Sequence, residues 1–235
     1  MIKPILLIIA LSFNLVHTQT KSHNVWDMID SSVIIKDLRS YQQMSENEKE
    51  IFVFTVENIS SYSFHKLNYD FVSISINAFY AKRVFVFAVD SVGKSIKLYD
   101  SGYFLRECGE PEISIGNLAL IVIGGRRVIQ IDEYKVGYSC CGGTHKEVIN
   151  SIFVDPSNRF TRVLELNKST IDYNNDNCGS YKSKPVSTKY SMIYLNDCNN
   201  DNCPTLSVLT YDSNNKKTIQ VDYSWDSHHT KLISR

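Results

Sequence analysis

Apolar and polar residues between positions 71 and 99 follow the pattern of a β-sheet core. In residues 71–78 valine and isoleucine alternate with serine and asparagine, which is the two-residue period of a strand with one buried face. Residues 84–89, with the sequence VFVFAV, are apolar on both faces of the pleat. Such a run is typical of a central strand that is covered on both sides. A third strand is expected from residue 94, after a turn at residues 90–93.

Similar signals continue to the C-terminus and predict a mainly antiparallel, all-β fold, either a sandwich or a barrel. Gly124-Gly125 follows a second run that is apolar on both faces, LALIVI at residues 118–123, and predicts a hairpin turn. Two such runs imply that one sheet face packs on a second sheet, while the other meets a helix, a ligand or a partner. Strands are predicted at residues 51–56, 62–67, 71–79, 83–89, 94–99, 113–123, 127–131, 134–141, 147–154, 189–195, 206–211 and 218–223, and residues 160–166 form a strand or a short helix.

One helix is predicted near the N-terminus. Apolar residues in 25–38 recur at the spacing of an amphipathic helix, and Ser22 or Asn24 is a suitable cap. The alternative is a β-segment at residues 32–35, SVII, because β-branched side chains favour strands.

The first 20 residues have the features of a secretory signal peptide. Lys3 supplies the positive charge, residues 5–13 the apolar segment, and residues 16–18 or the next two residues a cleavage region. No later segment reaches the roughly 20 apolar residues that a membrane-spanning helix needs. We therefore expect a secreted, extracellular protein with one mainly β domain over residues 21–235. A separate C-terminal subdomain at 186–235 is the alternative, although about 50 residues form only a marginal core.

The cysteines agree with an oxidising compartment. Their number is even, and the simplest interpretation is three disulfides of undetermined connectivity. The six residues are Cys108, Cys140, Cys141, Cys178, Cys198 and Cys203. Two Asn-x-Ser triplets, beginning at Asn58 and Asn167, are candidate glycosylation sites and support the same route.

The charge balance argues against nucleic acid as a partner. The 25 Lys and Arg residues equal the 25 Asp and Glu residues, so the net charge is zero. Basic residues cluster no further than pairs, whereas nucleic-acid binding requires a basic patch.

A repeated Asn-Asn-Asp-Asn-Cys segment is the candidate metal site. Each copy lies in an Asp-x-Asn-x-Asp frame whose oxygens could bind calcium. The two frames are Asp172, Asn174 and Asp176, and Asp197, Asn199 and Asp201. Both lack the glycine and glutamate of an EF-hand loop, so ordinary Asn/Asp turns are favoured over calcium, and we expect no other cofactor.

Catalytic patterns are weak. Ser139 lies in Gly-Tyr-Ser-Cys-Cys-Gly, but Cys141 replaces the second glycine of a nucleophile elbow and no helix pattern follows. A hydrolase would need His145 or His65 to converge on Ser139 with a carboxylate. No histidine pair has the spacing of a zinc site.

The expected function is therefore non-enzymatic recognition of an extracellular protein or glycan, through loops rich in tyrosine and asparagine. A lipocalin-like carrier of a small hydrophobic ligand is the alternative, with Phe85, Phe87, Leu120 or Val122 lining a cavity. Residues 134–141 and 147–154 resemble late lipocalin strands, although Asn24 stands where a lipocalin has the glycine of Gly-x-Trp. A secreted hydrolase of unknown type is the second alternative.

Overall fold

The computed structural model of the chain is all-β in the part that it describes. The chain divides into two compact units, with the boundary between Tyr103 and Phe104. None of the described residues forms a helix, so no membrane-crossing helix occurs among them. The described residues are 54–64, 67–78, 81–102, 104–105, 112–138, 144–174, 185–196, 205–226, 228 and 230–234.

The first unit contains an antiparallel sheet whose strands pair in the order β1-β2-β3-β4. Every side chain from residue 84 to residue 89 is buried. β3 pairs with β2 on one side and β4 on the other, so the prediction of a central strand covered on both faces is confirmed. The strands are β1 (Phe54–Ser63), β2 (Tyr69–Ala78), β3 (Ala81–Asp90) and β4 (Ser95–Asp100).

A charged cluster joins β3 to β4. Asp100 accepts hydrogen bonds from Arg83 Nε at 2.7 Å and from Lys97 Nζ at 2.8 Å. The Arg83 guanidinium also lies 4.9 Å from the centre of the Phe85 ring. Burial raises the pKa of Asp100, but the hydrogen bonds from Arg83 and Lys97 outweigh it and lower the pKa to about 2.

The second unit contains an eight-stranded antiparallel sheet in which each strand pairs with its neighbours in sequence, from β6 to β13. This order is a meander, in which each strand is antiparallel to the next strand along the chain. The strands of this sheet are β6 (Glu112–Ile123), β7 (Arg126–Tyr138), β8 (Thr144–Asp155), β9 (Thr161–Asn174), β10 (Pro185–Leu195), β11 (Leu206–Asp212), β12 (Lys217–Trp225) and β13 (Leu232–Ser234). The two-residue strand β5 (Phe104–Leu105) precedes them in the chain and is not part of this sheet.

A core on one face of this meander joins strands from both of its ends. Partly buried side chains, including Ile193, Tyr223 and Trp225, pack against it. Trp225 Nε1, at the end of β12, donates a hydrogen bond to the Ile123 carbonyl at the end of β6. The meander therefore curls until its first and seventh strands touch. The buried core residues are Ile123, Val128, Phe153, Val163, Leu166, Leu206, Val208 and Leu232.

Several strand predictions need correction. The run at 118–123 belongs to β6, which is at an end of the sheet, and Val122 is exposed. The strands predicted at 51–56 and 62–67 correspond to one strand, β1, and those predicted at 127–131 and 134–141 correspond to another, β7. The segment predicted at 160–166 as a strand or a short helix is a strand, because β9 begins at Thr161. The short β13 was not predicted. The turn at Gly124-Gly125 is confirmed, with φ of 56° and 76°.

Other predictions lie outside the described residues or stay predictions. The signal peptide, the N-terminal helix and all six cysteines fall outside that part of the chain. Residues 186–235 contribute strands to the same sheet as β6–β9, because β10 pairs with β9.

Candidate binding surface

An exposed apolar stripe follows one face of β10. Tyr190, Met192 and Tyr194 alternate along the strand and are 42%, 46% and 46% exposed. Alternate residues of a strand point to the same side. The Ile193 side chain, between two of them, packs against the core. The three exposed side chains therefore point outward.

Neighbouring β11 widens this stripe. Tyr190 pairs with Tyr211 and Met192 with Leu209, and both partners on β11 are partly exposed. We call these five residues, on β10 and β11 together, the tyrosine face. Monomeric proteins seldom expose contiguous apolar patches of this kind without a binding role.

Contacts within the tyrosine face fix its rings. The rings of Tyr190 and Tyr211 have centroids 5.3 Å apart and planes tilted by 41°. Tilted pairs at this separation are attractive. The Tyr194 hydroxyl lies 3.7 Å from the Met192 sulfur. The face is thus an ordered array of side chains, with a soft thioether between two tyrosines.

A polar group adjoins the tyrosine face on its β12 side. Asp222 Oδ1 accepts hydrogen bonds from Ser207 Oγ at 2.7 Å and from Gln220 Nε2 at 2.9 Å. Ser207 Oγ in turn accepts one from Asn196 Nδ2 at 2.8 Å. The hydrogen bonds from Gln220 and Ser207 lower the pKa of Asp222, so this carboxylate is charged at neutral pH. We call these four residues the Asp222 network.

A second polar network lies on the inner side of the curled sheet. Asp132 accepts hydrogen bonds from Ser151 Oγ at 2.6 Å, Gln130 Nε2 at 2.8 Å and Lys168 Nζ at 2.8 Å. Burial raises the pKa of Asp132, but these hydrogen bonds outweigh it and lower the pKa. Ser151 is fully buried. A hydrolytic serine needs an accessible hydroxyl and a base with a pKa near neutrality, so this network fits a structural role.

The residues proposed for a hydrolase are not brought together by any described contact. Ser139 and His65 lie outside the described residues, and only the backbone of His145 is described, within β8. Sequence reasoning also suggested a carrier cavity lined by Val122, among other residues. Val122 is 55% exposed, so its side chain does not line an enclosed cavity.

The structure describes little of the two calcium frames. Asp172 lies on β9, where its Oδ2 accepts a hydrogen bond from Ser187 Oγ at 2.6 Å. Asn174 ends the same strand, and the remaining frame residues, Asp176, Asp197, Asn199 and Asp201, lie outside the described residues. Three or more metal-binding side chains do not cluster anywhere in the described ranges. Calcium binding stays a prediction.

The two glycosylation triplets lie on strands. Asn58 belongs to β1, where its backbone pairs with Ser75. Asn167 on β9 has an exposed side chain that donates to Asn150 Oδ1 at 3.3 Å and accepts from Thr170 Oγ1 at 3.1 Å. Modification of either asparagine stays a prediction.

Sequence reasoning expected recognition through tyrosine-rich loops and did not select the tyrosine face. In residues 189–195, KYSMIYL, apolar side chains occupy both faces of the strand, so periodicity does not indicate the outward face. The alternation of tyrosines with Ser191 and Ile193 was the available signal.

Comparisons with known proteins do not assign the chain to a family. No protein-family model matches the chain, and searches of curated proteins and of solved structures gave no match.

Proposed function

We propose that this chain is a secreted, non-enzymatic binding protein that recognises an extracellular protein through the tyrosine face. The exposed alternation of Tyr190, Met192 and Tyr194 on a packed strand carries this proposal. Tyrosine and methionine are enriched at protein interfaces. The pairing of β10 with β9 and with β11, together with the Tyr190–Tyr211 ring contact, keeps the rings in place without a partner.

Secretion is supported by three features of the sequence. These are Lys3 with the apolar run at 5–13, the even number of cysteines, and the two Asn-x-Ser triplets. An extracellular glycan is the alternative partner, because tyrosine rings beside hydroxyl, amide and carboxylate groups also suit a sugar.

The test is a binding screen with matched surface variants. Protein secreted from cultured cells is biotinylated and measured against panels of purified extracellular proteins and of glycans. We expect a protein ligand whose Kd rises at least about tenfold, equivalent to about 1.4 kcal/mol, in Tyr190→Ser/Tyr194→Ser. Val122→Ser, which removes an apolar side chain of β6 that is 55% exposed, should leave the Kd unchanged.

Two results would contradict the proposal. One is a ligand that binds the double tyrosine variant as tightly as the unaltered protein, provided that both have the same melting temperature. The other is a small hydrophobic molecule that co-purifies in native mass spectrometry and whose removal abolishes the activity, because this result favours a carrier.

A further inference from the structure

The strand register extends the tyrosine face into an ordered array with one charged corner. Pairing of β10 with β11 and of β11 with β12 creates three cross-strand rows on the outward side. Adjacent strands lie about 4.8 Å apart, so each row spans roughly 10 Å. The rows are Tyr190–Tyr211–Thr218, Met192–Leu209–Gln220 and Tyr194–Ser207–Asp222.

Asp222 is the single charged residue of these nine positions. The nearby charged residues Lys189 and Asp212 pair with each other at 3.2 Å and belong to the alternate positions of their strands, which point to the other side. Tyrosine rings have electronegative faces. The array therefore presents a negative electrostatic potential over an otherwise uncharged surface.

Asp222 is also oriented for a ligand. Both hydrogen bonds described for its carboxylate, from Ser207 and Gln220, go to Oδ1. Oδ2 accepts no hydrogen bond from any residue within the described ranges. The carboxylate thus has one oxygen held in place and one available to a donor from outside the chain.

A carboxylate beside tyrosine and methionine side chains favours a ligand group that has a cationic end and an apolar stem. A guanidinium donates charge-assisted hydrogen bonds to a carboxylate and also stacks on aromatic rings. We propose that the partner of the tyrosine face inserts an arginine side chain that donates to Asp222 Oδ2 while its stem packs along Tyr194 and Met192. This inference rests on the proposed function, because it names the chemistry of the partner at the same surface.

A peptide titration tests the inference without the partner. The probes are acetyl-Gly-Arg-Gly-amide, the same peptide with glutamate in place of arginine, and a methyl glycoside. Two-dimensional NMR follows the side-chain amide signals of Gln220 and Asn196 in the full secreted chain. We expect saturable shifts with the arginine peptide alone, and at least a fivefold weaker apparent affinity at 300 mM than at 50 mM salt.

Two substitutions test whether Asp222 binds the arginine peptide. Asp222→Asn should reduce the apparent affinity at least fivefold and remove the salt dependence. Glu165→Gln is the matched control, because it removes a half-exposed carboxylate on β9 that pairs with Arg162. It should change neither the affinity nor the salt dependence.

The inference is overturned if the arginine peptide shifts no signal, if Asp222→Asn binds it equally well, or if the glycoside gives the saturable shifts instead. Failure here is distinguishable from failure of the proposed function. A protein ligand that loses affinity in Tyr190→Ser/Tyr194→Ser but not in Asp222→Asn would support the tyrosine face as the binding surface and contradict the proposed arginine contact.

Discussion

The guanidinium of Arg126 lies over the indole ring of Trp225, with 5.0 Å from Arg126 Cζ to the ring centre. Arg126 begins β7 and Trp225 ends β12, so the contact joins the second and seventh strands of the meander. Arg126 Nη1 is also 3.5 Å from Oδ2 of the fully buried Asp155. The Arg126 side chain thus covers the Trp225 indole and pairs with the buried Asp155 carboxylate. The same indole donates the hydrogen bond to the Ile123 carbonyl.

Replacing Arg126 should therefore destabilise the second unit strongly. Arg126→Ala leaves the Asp155 charge without its ion-pair partner and should lower the free energy of unfolding by about 3 kcal/mol. Urea denaturation followed by Trp225 fluorescence measures the change. Arg162→Ala, which breaks an ion pair with Glu165 in which both side chains are half exposed, should cost less than about 1 kcal/mol. Equal losses in the two variants would show that the buried carboxylate does not depend on Arg126.

The hairpin at Gly124-Gly125 offers a matched pair of substitutions. Both glycines have positive φ, so alanine at either position costs about 1–2 kcal/mol from backbone strain. A Cβ at position 124 would also lie 2.5 Å from Thr205 Cγ2 and 3.1 Å from Trp225 Nε1, whereas a Cβ at 125 meets open space. Gly124→Ala should therefore cost at least about 1 kcal/mol more than Gly125→Ala.

A second substitution checks the cause of that difference. Thr205→Ser removes the Cγ2 methyl group and should restore part of the stability lost in Gly124→Ala. Thermal unfolding of the two single alanine variants and of Gly124→Ala/Thr205→Ser provides the comparison. If the serine restores nothing, the steric explanation fails.

Asp100 should give the first unit an acid-sensitive component of stability. Its folded-state pKa of about 2 lies below the ordinary 3.8, so its contribution is present above pH 4 and is lost as the pH falls towards 2. The difference corresponds to about 2 kcal/mol. Hydrogen exchange of the β3 and β4 amides at pH 5 and pH 2.5 should show this loss in the unaltered protein.

Asp100→Asn should remove both the stability and its pH dependence. The variant should be less protected than the unaltered protein by about 2 kcal/mol at pH 5 and by less than about 1 kcal/mol at pH 2.5, where most of the Asp100 contribution is lost. Glu165→Gln, at an exposed ion pair of the second unit, should not affect these amides. Protection that changes with pH identically in both proteins would assign the acid sensitivity to another group.

Ring contact between Tyr190 and Tyr211 should be measurable as a coupling energy. A double-mutant cycle with Tyr190→Ala and Tyr211→Ala should give about 0.5–1 kcal/mol, because the tilted rings are 5.3 Å apart on paired strands. The control cycle replaces Tyr194 and Tyr211, which stand in different cross-strand rows, and should give a coupling near zero. Similar values in both cycles would argue against a specific ring pair.

Local sequence patterns predicted much of the fold but little of the binding surface. The two-residue period located most strands, and residues 84–89 were correctly assigned to a buried centre because a run that is apolar on both sides is stable only when covered. Gly124-Gly125 was recognised because adjacent glycines readily adopt positive φ. These features depend on neighbouring residues, which the sequence presents directly.

Tertiary structure decided which apolar side chains are exposed. The run at 118–123 is apolar on both faces, as residues 84–89 are, yet β6 lies at an end of its sheet and exposes Val122. In β10, Ile193 packs inward and Tyr194 points outward, although both are apolar neighbours. Periodicity defines two faces of a strand but not which face meets the core. That choice follows from the curl of the meander, which brings Trp225 to Ile123 and buries the side that Ile193 occupies.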